Sequence, residues 1–350
     1  MKNGSFRILC LLQFLLLAFA CQPRDRYVVF TGYAQGGTYS VKANMKDVDV
    51  RDSEVRDSID AILRQIDNSL SGYNRNSLLS RFNGGESIVP DSLFIDIYGR
   101  AYDLFLLTGG CVDPASAPLF DLWGFGFRSG ELPGDGQVAE VLNVCGMSRL
   151  KKDIRSAICQ NGTLDSKSVL VDEDAVPAML NYNAIAQGYS CDQVAKYLYS
   201  IGVKDMMVDI GEIFCDGVNP SGRPWTIGID SPVDGNDQPG ADLQAVFSVP
   251  DGPHGVVTSG NYRKFYIRDG KKYAHTVDPR TGYPVSHTLL SATVVAPDAT
   301  VADAYATHCM VVGLEDAKAF ISSDPQLEAC LIYDEGGEFR MWTSPGFILK

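Results

Sequence analysis

Residues 258–284 read TSGNYRKFYIRDGKKYAHTVDPRTGYP, and this stretch does most to decide the class of fold. It holds two short β-type runs, Phe265 to Ile267 and Lys272 to His275. The Asp269-Gly270 pair between them is a typical turn of a β-hairpin. The stretch therefore predicts antiparallel strand pairing in the second half of the chain.

Helices are predicted on both sides of this hairpin. Val55, Ile59, Ile62 and Ile66 fall on one stripe at helical spacing, which indicates an amphipathic helix over residues 53–70. Further helices are predicted at 91–108, before Gly109-Gly110, at 184–200, and from an N-cap at Asp298 to about Val312. Other strands are expected at Tyr27–Tyr33, Met206–Ile210 and Trp225–Ile229, with a last hairpin over Leu331–Trp342 that turns at Gly336-Gly337.

The order of these elements predicts an α+β fold. Strands and helices follow one another without a regular βαβ rhythm, and the chain has neither a GxGxxG nor a Walker loop. We therefore expect a large mixed or antiparallel sheet core with flanking helices. An arrangement in two lobes, with a nucleotide cleft between them, is the alternative.

The N-terminus has the pattern of an export signal. Lys2 and Arg7 precede an apolar run from Ile8 to Ala20, and Cys21 follows directly. We predict a signal peptide over 1–20, a lipid-anchored linker over 21–26 and one domain over 27–350. The protein is then a membrane-anchored lipoprotein that faces the periplasm, at the bacterial inner membrane. Ordinary cleavage after Ala20, without a lipid, is the alternative.

The net charge limits which ligands the protein can bind, and the cysteine pattern indicates whether it forms disulfides or a zinc site. The formal net charge of -13 disfavours nucleic acid, because an acidic chain repels a polyphosphate backbone. An acidic protein that binds an anionic nucleotide needs a local cation. The seven cysteines after Cys21 are scattered and odd in number, so we expect buried small residues rather than disulfides or a zinc site.

Two glycine-rich segments could bind a planar ligand. In DPASAPLFDLWGFG, residues 113–126, aromatic side chains alternate with glycines, which suits a flat ring, although a buried aromatic loop explains the pattern as well. In NYNAIAQGYSCD, residues 181–192, a strand end enters a helix, and exposed carbonyls and amides there can hold an ion or a phosphate.

Two further segments carry candidate catalytic and metal-binding groups. His275 is a candidate general base, whereas a structural turn explains Asp278 and Arg280. Asp303 and Thr307 are four residues apart on a predicted helix, so both oxygens face the same side. With a backbone carbonyl they would suit Mg²⁺, but such a pair is often only solvated.

Taken in order, these segments resemble the ApbE family of FAD:protein FMN transferases over roughly residues 27–345. The resemblance rests on seven blocks: GTYS at 37–40, LSGYNRNSLLSRFN at 70–83, the DP…PL…LWGFG block, NAIAQGYSCD, MVDIGEI at 207–213, TSG…HxxDPRTGYPV at 258–285, and APDATVADAYAT at 296–307.

The resemblance assigns roles to individual residues. It implies Mg²⁺ ligands at the backbone carbonyl of Ala184 and the side chains of Asp303 and Thr307, with His275 activating the acceptor threonine. It places the FAD contacts at Tyr73, Trp123, Gly124, Phe125, Asn181, Gln187 and Thr276. The chain departs from the family pattern at Gly36, Asn181 and Asn261, and at the turn Ile210–Glu212, which is one glycine short.

The function that the resemblance implies is a Mg²⁺-dependent transfer. FAD is cleaved, and FMN is attached by a phosphoester bond to a threonine of an exported protein. The family's acceptors resemble subunits of Rnf-type and sodium-pumping Nqr-type redox complexes. A Mg²⁺-dependent FAD pyrophosphatase that yields FMN and AMP, and a non-catalytic flavin-binding lipoprotein, are the alternatives.

Overall fold

The computed structural model describes residues 25–350, except 126–131, 173, 234–235, 237, 239, 262–264 and 269–270. For residues 265–268 and 271–274 the description is of the backbone. The predicted signal peptide, Cys21 and the turn at Asp269-Gly270 lie outside the described residues. Within the described part, no helix is long and apolar enough to cross a membrane.

The described chain contains α-helices and strands in a mixed order. The helices are α1 Asp52–Leu70, α2 Leu78–Asn83, α3 Ser92–Leu107, α4 Ala117–Leu122, α5 Asp135–Leu142, α6 Ala186–Ser200, α7 Ala299–Val312 and α8 Leu314–Ser323. The strands are β1 Tyr27–Ala34, β2 Gly37–Asn44, β3 Met206–Asp209, β4 Ile213–Asp216, β5 Thr226–Asp230, β6 Leu243–Ser248, β7 His254–Gly260, β8 Phe265–Arg268, β9 Lys271–Ala274, β10 Val277–Asp278, β11 Tyr283–Pro284, β12 Leu289–Ala296, β13 Glu328–Glu335, β14 Glu338–Thr343 and β15 Ile348–Leu349. Short 3₁₀ turns lie at Pro114–Ser116, Met147–Arg149 and Ile154–Ala157.

The core of the fold is one eight-stranded sheet, in the order β1-β2-β3-β4-β7-β12-β13-β14. Every described strand pair in it is antiparallel. A three-stranded sheet, β15-β6-β5, and the pairs β10-β11 and β8-β9 complete the strands. The predicted α+β class with a large antiparallel sheet is confirmed, and β8 and β9 form the hairpin predicted within 258–284.

Both faces of the large sheet are covered. Side chains alternate along each strand, so neighbouring residues contribute to different clusters. In β7, Val257 packs with the helices, whereas Val256 packs with the three-stranded sheet. In β13, Leu331 lies on the helix side and Cys330 on the other. The sheet is therefore a rigid middle layer that fixes the position of the helices.

The long helices were predicted within two residues of their ends, but the shorter helices α2, α4, α5 and α8 were missed. The side chain of Asp298 accepts from Val301 N–H, as an N-cap does. The polar segment Tyr73–Asn83 predicts a loop from its sequence, but its second half forms α2. Ser77 caps that helix, and two side chains, Leu79 and Phe82, are buried. Six residues are too few to show helical periodicity in the sequence.

The cysteines follow the prediction in part. All seven described cysteines are free, and Cys111, Cys191, Cys215, Cys309 and Cys330 are buried. Cys145 is half-buried and packs against the cluster that contains Trp123, whereas Cys159 is exposed. The odd, scattered pattern in the sequence thus indicates correctly that no disulfide forms within the described part.

Candidate functional site

A cavity of about 360 Å³ brings together the segments singled out in the sequence. Its volume is in the usual range of small-molecule sites. The predicted site residues that line it are Tyr73, Phe125, Asn181, Ala184, Gln187, His275, Thr276, Asp303 and Thr307. Trp123 and Gly124 are not among the lining residues. Residues more than two hundred positions apart in the chain therefore face one another across a single space.

Helix α7 supplies the most deeply buried charge of the cavity. The side chain of Asp303 is only 5% exposed, and its Oδ2 accepts from Gly188 N–H at 3.1 Å. Burial, together with the nearby Asp192 carboxylate, raises the pKa of Asp303 well above its usual range. In the described part of the chain, no lysine or arginine forms an ion pair with Asp303. A carboxylate in such surroundings is stabilised by a bound cation.

Oxygen atoms complete a possible cation site around Asp303. Thr307 lies one helical turn further along α7, and Ala184 lies just before α6, so both border the same cavity. A carboxylate, a hydroxyl and a carbonyl are hard donors, which Mg²⁺ prefers. Within the described residues, no cluster of three or more His, Cys, Asp or Glu could hold a metal. The donor set therefore fits Mg²⁺ better than a transition metal.

His275, between β9 and β10, also borders the cavity. The next residue, Thr276, donates its hydroxyl to Oδ1 of Asn261 at 2.8 Å, which fixes the backbone beside the histidine. The structural interpretation of Asp278 and Arg280 is confirmed. Asp278 accepts from the backbone N–H of Arg280 at 2.9 Å and from its guanidinium at 2.9 and 3.0 Å. Of the three side chains His275, Asp278 and Arg280, only that of His275 belongs to a residue that lines the cavity.

The aromatic segment divides at the end of α4. Gly124 has a φ of 77°, a conformation that favours glycine, and Phe125 N–H donates back to Phe120 O at 2.9 Å. This helix end turns the rings of Phe120 and Phe125 towards the cavity. Trp123 instead is buried, and its indole N–H donates to Gly282 O at 2.7 Å.

Trp123 packs in a small cluster beneath the cavity, with Leu119, Val138 and Val277. The alternative of a buried aromatic therefore describes this tryptophan, whereas Phe125 has the ligand-facing position. A sequence pattern of alternating aromatics and glycines could not distinguish the two rings, because the direction of each depends on where α4 ends.

The rim of the cavity is formed by the loop after α1 and the start of α6. The side chain of Tyr73 is 70% exposed, and its hydroxyl accepts from Asn183 Nδ2 at 3.2 Å. Gln187 donates from Nε2 to Ile210 O at 3.3 Å. The shortened turn therefore rests on α6, and Gly211 has a φ of 94°, where a Cβ would lie 2.5 Å from Gln187.

Two residues that depart from the family pattern, Asn181 and Asn261, accept hydrogen bonds from other residues of the chain. Asn181 Oδ1 accepts from Asn183 N–H at 2.8 Å, and Asn261 Oδ1 accepts from Thr276. A carboxylate could make the same bonds. Gly36 lies in the exposed turn between β1 and β2 and is not among the residues that line the cavity.

Some lining residues were missed in the sequence. Besides Phe120, the carboxyl groups of Asp113 and Glu212 border the cavity. Asp113 accepts from Ala115 N–H at 2.9 Å and from Met147 N–H at 3.0 Å, and burial raises its pKa to about 6. An Asp directly before a proline, at the start of a 3₁₀ turn, was the available signal for Asp113. Glu212 lies in the MVDIGEI block, but nothing in its spacing indicates a site.

Comparison with known proteins gives one consistent result. The model of the ApbE family matches residues 36–331. The FAD:protein FMN transferase of Escherichia coli (strain K12) is 31% identical, over 98% of this chain and 97% of its own. That of Haemophilus influenzae is also 31% identical, over 99% and 98%.

Solved structures agree with the sequence comparison. The Pseudomonas stutzeri flavinyl transferase ApbE superposes with a TM-score of 0.77 at 30% identity, covering 93% of this chain and 96% of that one. The flavin transferase ApbE from Vibrio cholerae gives a TM-score of 0.74 at 28% identity, covering 92% and 98%.

Proposed function

Since the chain belongs to the ApbE family, we propose that it is a Mg²⁺-dependent FAD:protein FMN transferase that modifies a threonine of an exported protein. The observation that carries this proposal is the meeting of His275 and Asp303 at one cavity. A candidate general base and a buried carboxylate that border the same cavity match a reaction that needs both proton removal and a cation.

The reaction is a substitution at the FMN phosphorus of FAD. The hydroxyl oxygen of the acceptor threonine forms the new P–O bond, the P–O bond to the AMP part breaks, and AMP leaves with the electron pair. A threonine hydroxyl is a weak nucleophile at neutral pH. His275 therefore accepts the hydroxyl proton as the oxygen attacks.

Ala184, Asp303 and Thr307 are the residues that would hold Mg²⁺. When bound, the ion supplies charge neutralisation to the pyrophosphate oxygens, an effect of several kcal/mol in such reactions. Phe125, Phe120 and Tyr73 offer aromatic faces for the ring system. Gln187, Asn181 and Thr276 supply polar groups that orient the nucleotide.

The proposal places the enzyme at the outer face of a bacterial inner membrane, with a lipid on Cys21. It is supported by Lys2, Arg7 and the apolar run that ends at Ala20. The acceptor we propose is an exported subunit of an Rnf- or Nqr-type redox complex. Such a partner would share the membrane with a tethered enzyme.

The chemistry is tested by incubating the protein with FAD, Mg²⁺ and the exported domain of such a subunit. We expect AMP in solution, and an acceptor that gains the mass of FMN on one threonine. The matched control is an acceptor with that threonine changed to valine. AMP with free FMN and an unmodified acceptor would indicate a pyrophosphatase, and bound FAD without AMP would indicate a binding protein.

The location is tested separately with Cys21→Ser. We expect labelled fatty acid in the wild-type chain and none in the variant, which should leave the membrane fraction. A wild-type chain that never takes up label would show that the signal is cleaved without lipidation.

A further inference from the structure

The proposed Mg²⁺ ligands lie on two separate helices. Ala184 lies two residues before the start of α6, whereas Asp303 and Thr307 belong to α7. The distance between the oxygens therefore depends on how α6 and α7 are held against each other. A metal site tolerates errors of only a few tenths of an ångström in its ligand positions.

A carboxylate of α6 holds the beginning of α7. Asp192 accepts from the backbone N–H groups of Ala299 and Thr300, each at 2.9 Å, and from the Thr300 hydroxyl. These are the first residues of α7, whose N–H groups have no acceptor within the helix. The bonds thus join two helices, and they are stronger than neutral ones because the acceptor is charged.

A second contact lies one helical turn away. Gly188, four residues before Asp192 on α6, donates its N–H to Asp303 at 3.1 Å. A Cβ at Gly188 would lie 2.1 Å from Ala299 O, so the two helices are in direct backbone contact. One turn of α6 is therefore bonded to one turn of α7 at both ends.

Burial of the Asp192 carboxylate costs free energy, because it removes a charged group from water. Its side chain is 11% exposed, and the nearest cation is Arg100 Nη1 of α3, at 3.7 Å. The same arginine bonds Asp298 at 2.5 Å. A desolvated charge so weakly paired stabilises a fold poorly. The hydrogen bonds that Asp192 accepts from α7 offset part of this desolvation.

We propose that Asp192 is a positioning residue, which sets α6 against α7 and thereby fixes the geometry of the cation site at Ala184, Asp303 and Thr307. This inference rests on the proposed function only through the assignment of those ligands. Contacts of this kind, behind the ligands themselves, typically change metal affinity by about 10- to 100-fold.

The experiment measures Mn²⁺ binding by the full-length chain, using the electron paramagnetic resonance signal of free Mn²⁺, so that no turnover is needed. Asp192→Asn should weaken Mn²⁺ binding by roughly 10- to 100-fold, and Asp303→Ala should abolish it. Excess Mg²⁺ should restore AMP release to Asp192→Asn but not to Asp303→Ala. Near-UV circular dichroism checks that each variant is folded.

The matched control is Asp298→Asn. Asp298 also caps α7, through Val301 N–H within its own helix, and it pairs with Arg100 as Asp192 does, but none of its described bonds reaches α6. Its variant should bind Mn²⁺ within about threefold of wild type, well below the effect expected at Asp192. Equal weakening in both variants would show a general capping effect and overturn the proposal. So would unchanged affinity in a folded Asp192→Asn.

If Asp192→Asn does not fold, Thr300→Val decides. It removes the Thr300 hydroxyl bond to Asp192 and should weaken Mn²⁺ binding severalfold; unchanged affinity would then overturn the proposal. A wild-type chain that binds no Mn²⁺ overturns the ligand assignment and this inference with it. Mn²⁺ binding as expected, without transfer of FMN, would refute the proposed function and leave the role of Asp192 intact.

Discussion

His275 can be tested as a base because the chain offers a matched histidine elsewhere. Loss of a general base typically slows a reaction by about a hundred- to ten-thousand-fold. We predict that His275→Ala transfers FMN at least about a hundredfold more slowly, while FAD and Mg²⁺ bind nearly as in wild type. Single-turnover transfer and fluorescence titration of FAD measure the two quantities. Wild-type transfer should also fall on acidification, because only a neutral imidazole accepts the proton.

His254 is the control for this prediction. It lies in β7, is not among the residues that line the cavity, and contacts Asp251 O through its ring. His254→Ala should keep the wild-type rate. A folded His275→Ala variant with full activity would refute the assignment of the base. If both the melting temperature and the activity fall in His275→Ala, His275 would instead have a structural role, stabilising the β8-β9 hairpin.

Substitution of the two aromatic residues at the end of α4 should affect different properties: protein stability at Trp123 and FAD affinity at Phe125. Trp123 is 7% exposed and bonded to Gly282, so Trp123→Ala should lower the free energy of unfolding by roughly 3–5 kcal/mol. Phe125→Ala should change stability less, and should weaken FAD binding by about 1–2 kcal/mol, roughly tenfold in Kd. Urea denaturation and FAD titration of both variants decide. A stable Trp123→Ala that loses FAD would return the tryptophan to the binding site.

At the scale of elements, Asp113 joins the segment before α4 to the turn at Met147. Burial raises its pKa from 3.8 to about 6. Between these values the folded protein holds a proton that the unfolded chain has lost. The free energy of unfolding contributed by Asp113 therefore falls as the pH rises through this window, by roughly 2–3 kcal/mol.

Asp113→Asn removes the titration and keeps an acceptor for the backbone N–H groups. Measured by denaturation without FAD or Mg²⁺, wild type should gain stability relative to the variant by roughly 2–3 kcal/mol from pH 7 to pH 4. Parallel stability curves for the two proteins would show that this carboxyl titrates as it does in the unfolded chain.

The elements differ in how far the sequence reveals them. Helix α1 shows its apolar stripe from Val55 to Ile66, about three turns, and its bounds were predicted closely. Helix α2 is stabilised by the local Ser77 cap and by burial of Leu79 and Phe82, and only this burial arises from tertiary packing. The β8-β9 hairpin is local, whereas the pairing of β7 with β12 joins residues over thirty positions apart and leaves no local signal.

At the scale of the whole molecule, the site also combines features that the local sequence reveals with features that depend on contacts between distant segments. The spacing of Asp303 and Thr307 predicts a shared helix face, but the approach of His275 to that face is a result of sheet topology. Only resemblance to a family linked them before the structure. The two carboxyl groups at Asp113 and Glu212 were missed because their position at the cavity depends on distant segments.

The fold also separates the proposed anchor from the cavity. Arg26, close to Cys21 in sequence, pairs with Asp52 at the start of α1, at 2.9 Å. Tyr73, just beyond the other end of α1, borders the cavity. A helix of 19 residues rises about 27 Å over that length. If Cys21 carries a lipid as proposed, Arg26 lies five positions from the anchored residue, and with α1 upright on the bilayer we predict that the cavity stands about 20 Å or more above it.

Energy transfer to a dye on lipid headgroups can measure this separation. One fluorophore is placed at Lys204→Cys, beside Asp205, whose carbonyl accepts from Asn44 N–H at the anchored end, and another at Arg75→Cys, next to Tyr73. Both are made with Cys159→Ser, because that thiol is exposed. Transfer should be strong from position 204, weak from position 75 and absent from both when Cys21→Ser is added. Equal transfer from the two positions would mean that the domain lies on its side, and an acceptor threonine would then need to sit close to the bilayer surface rather than project from it.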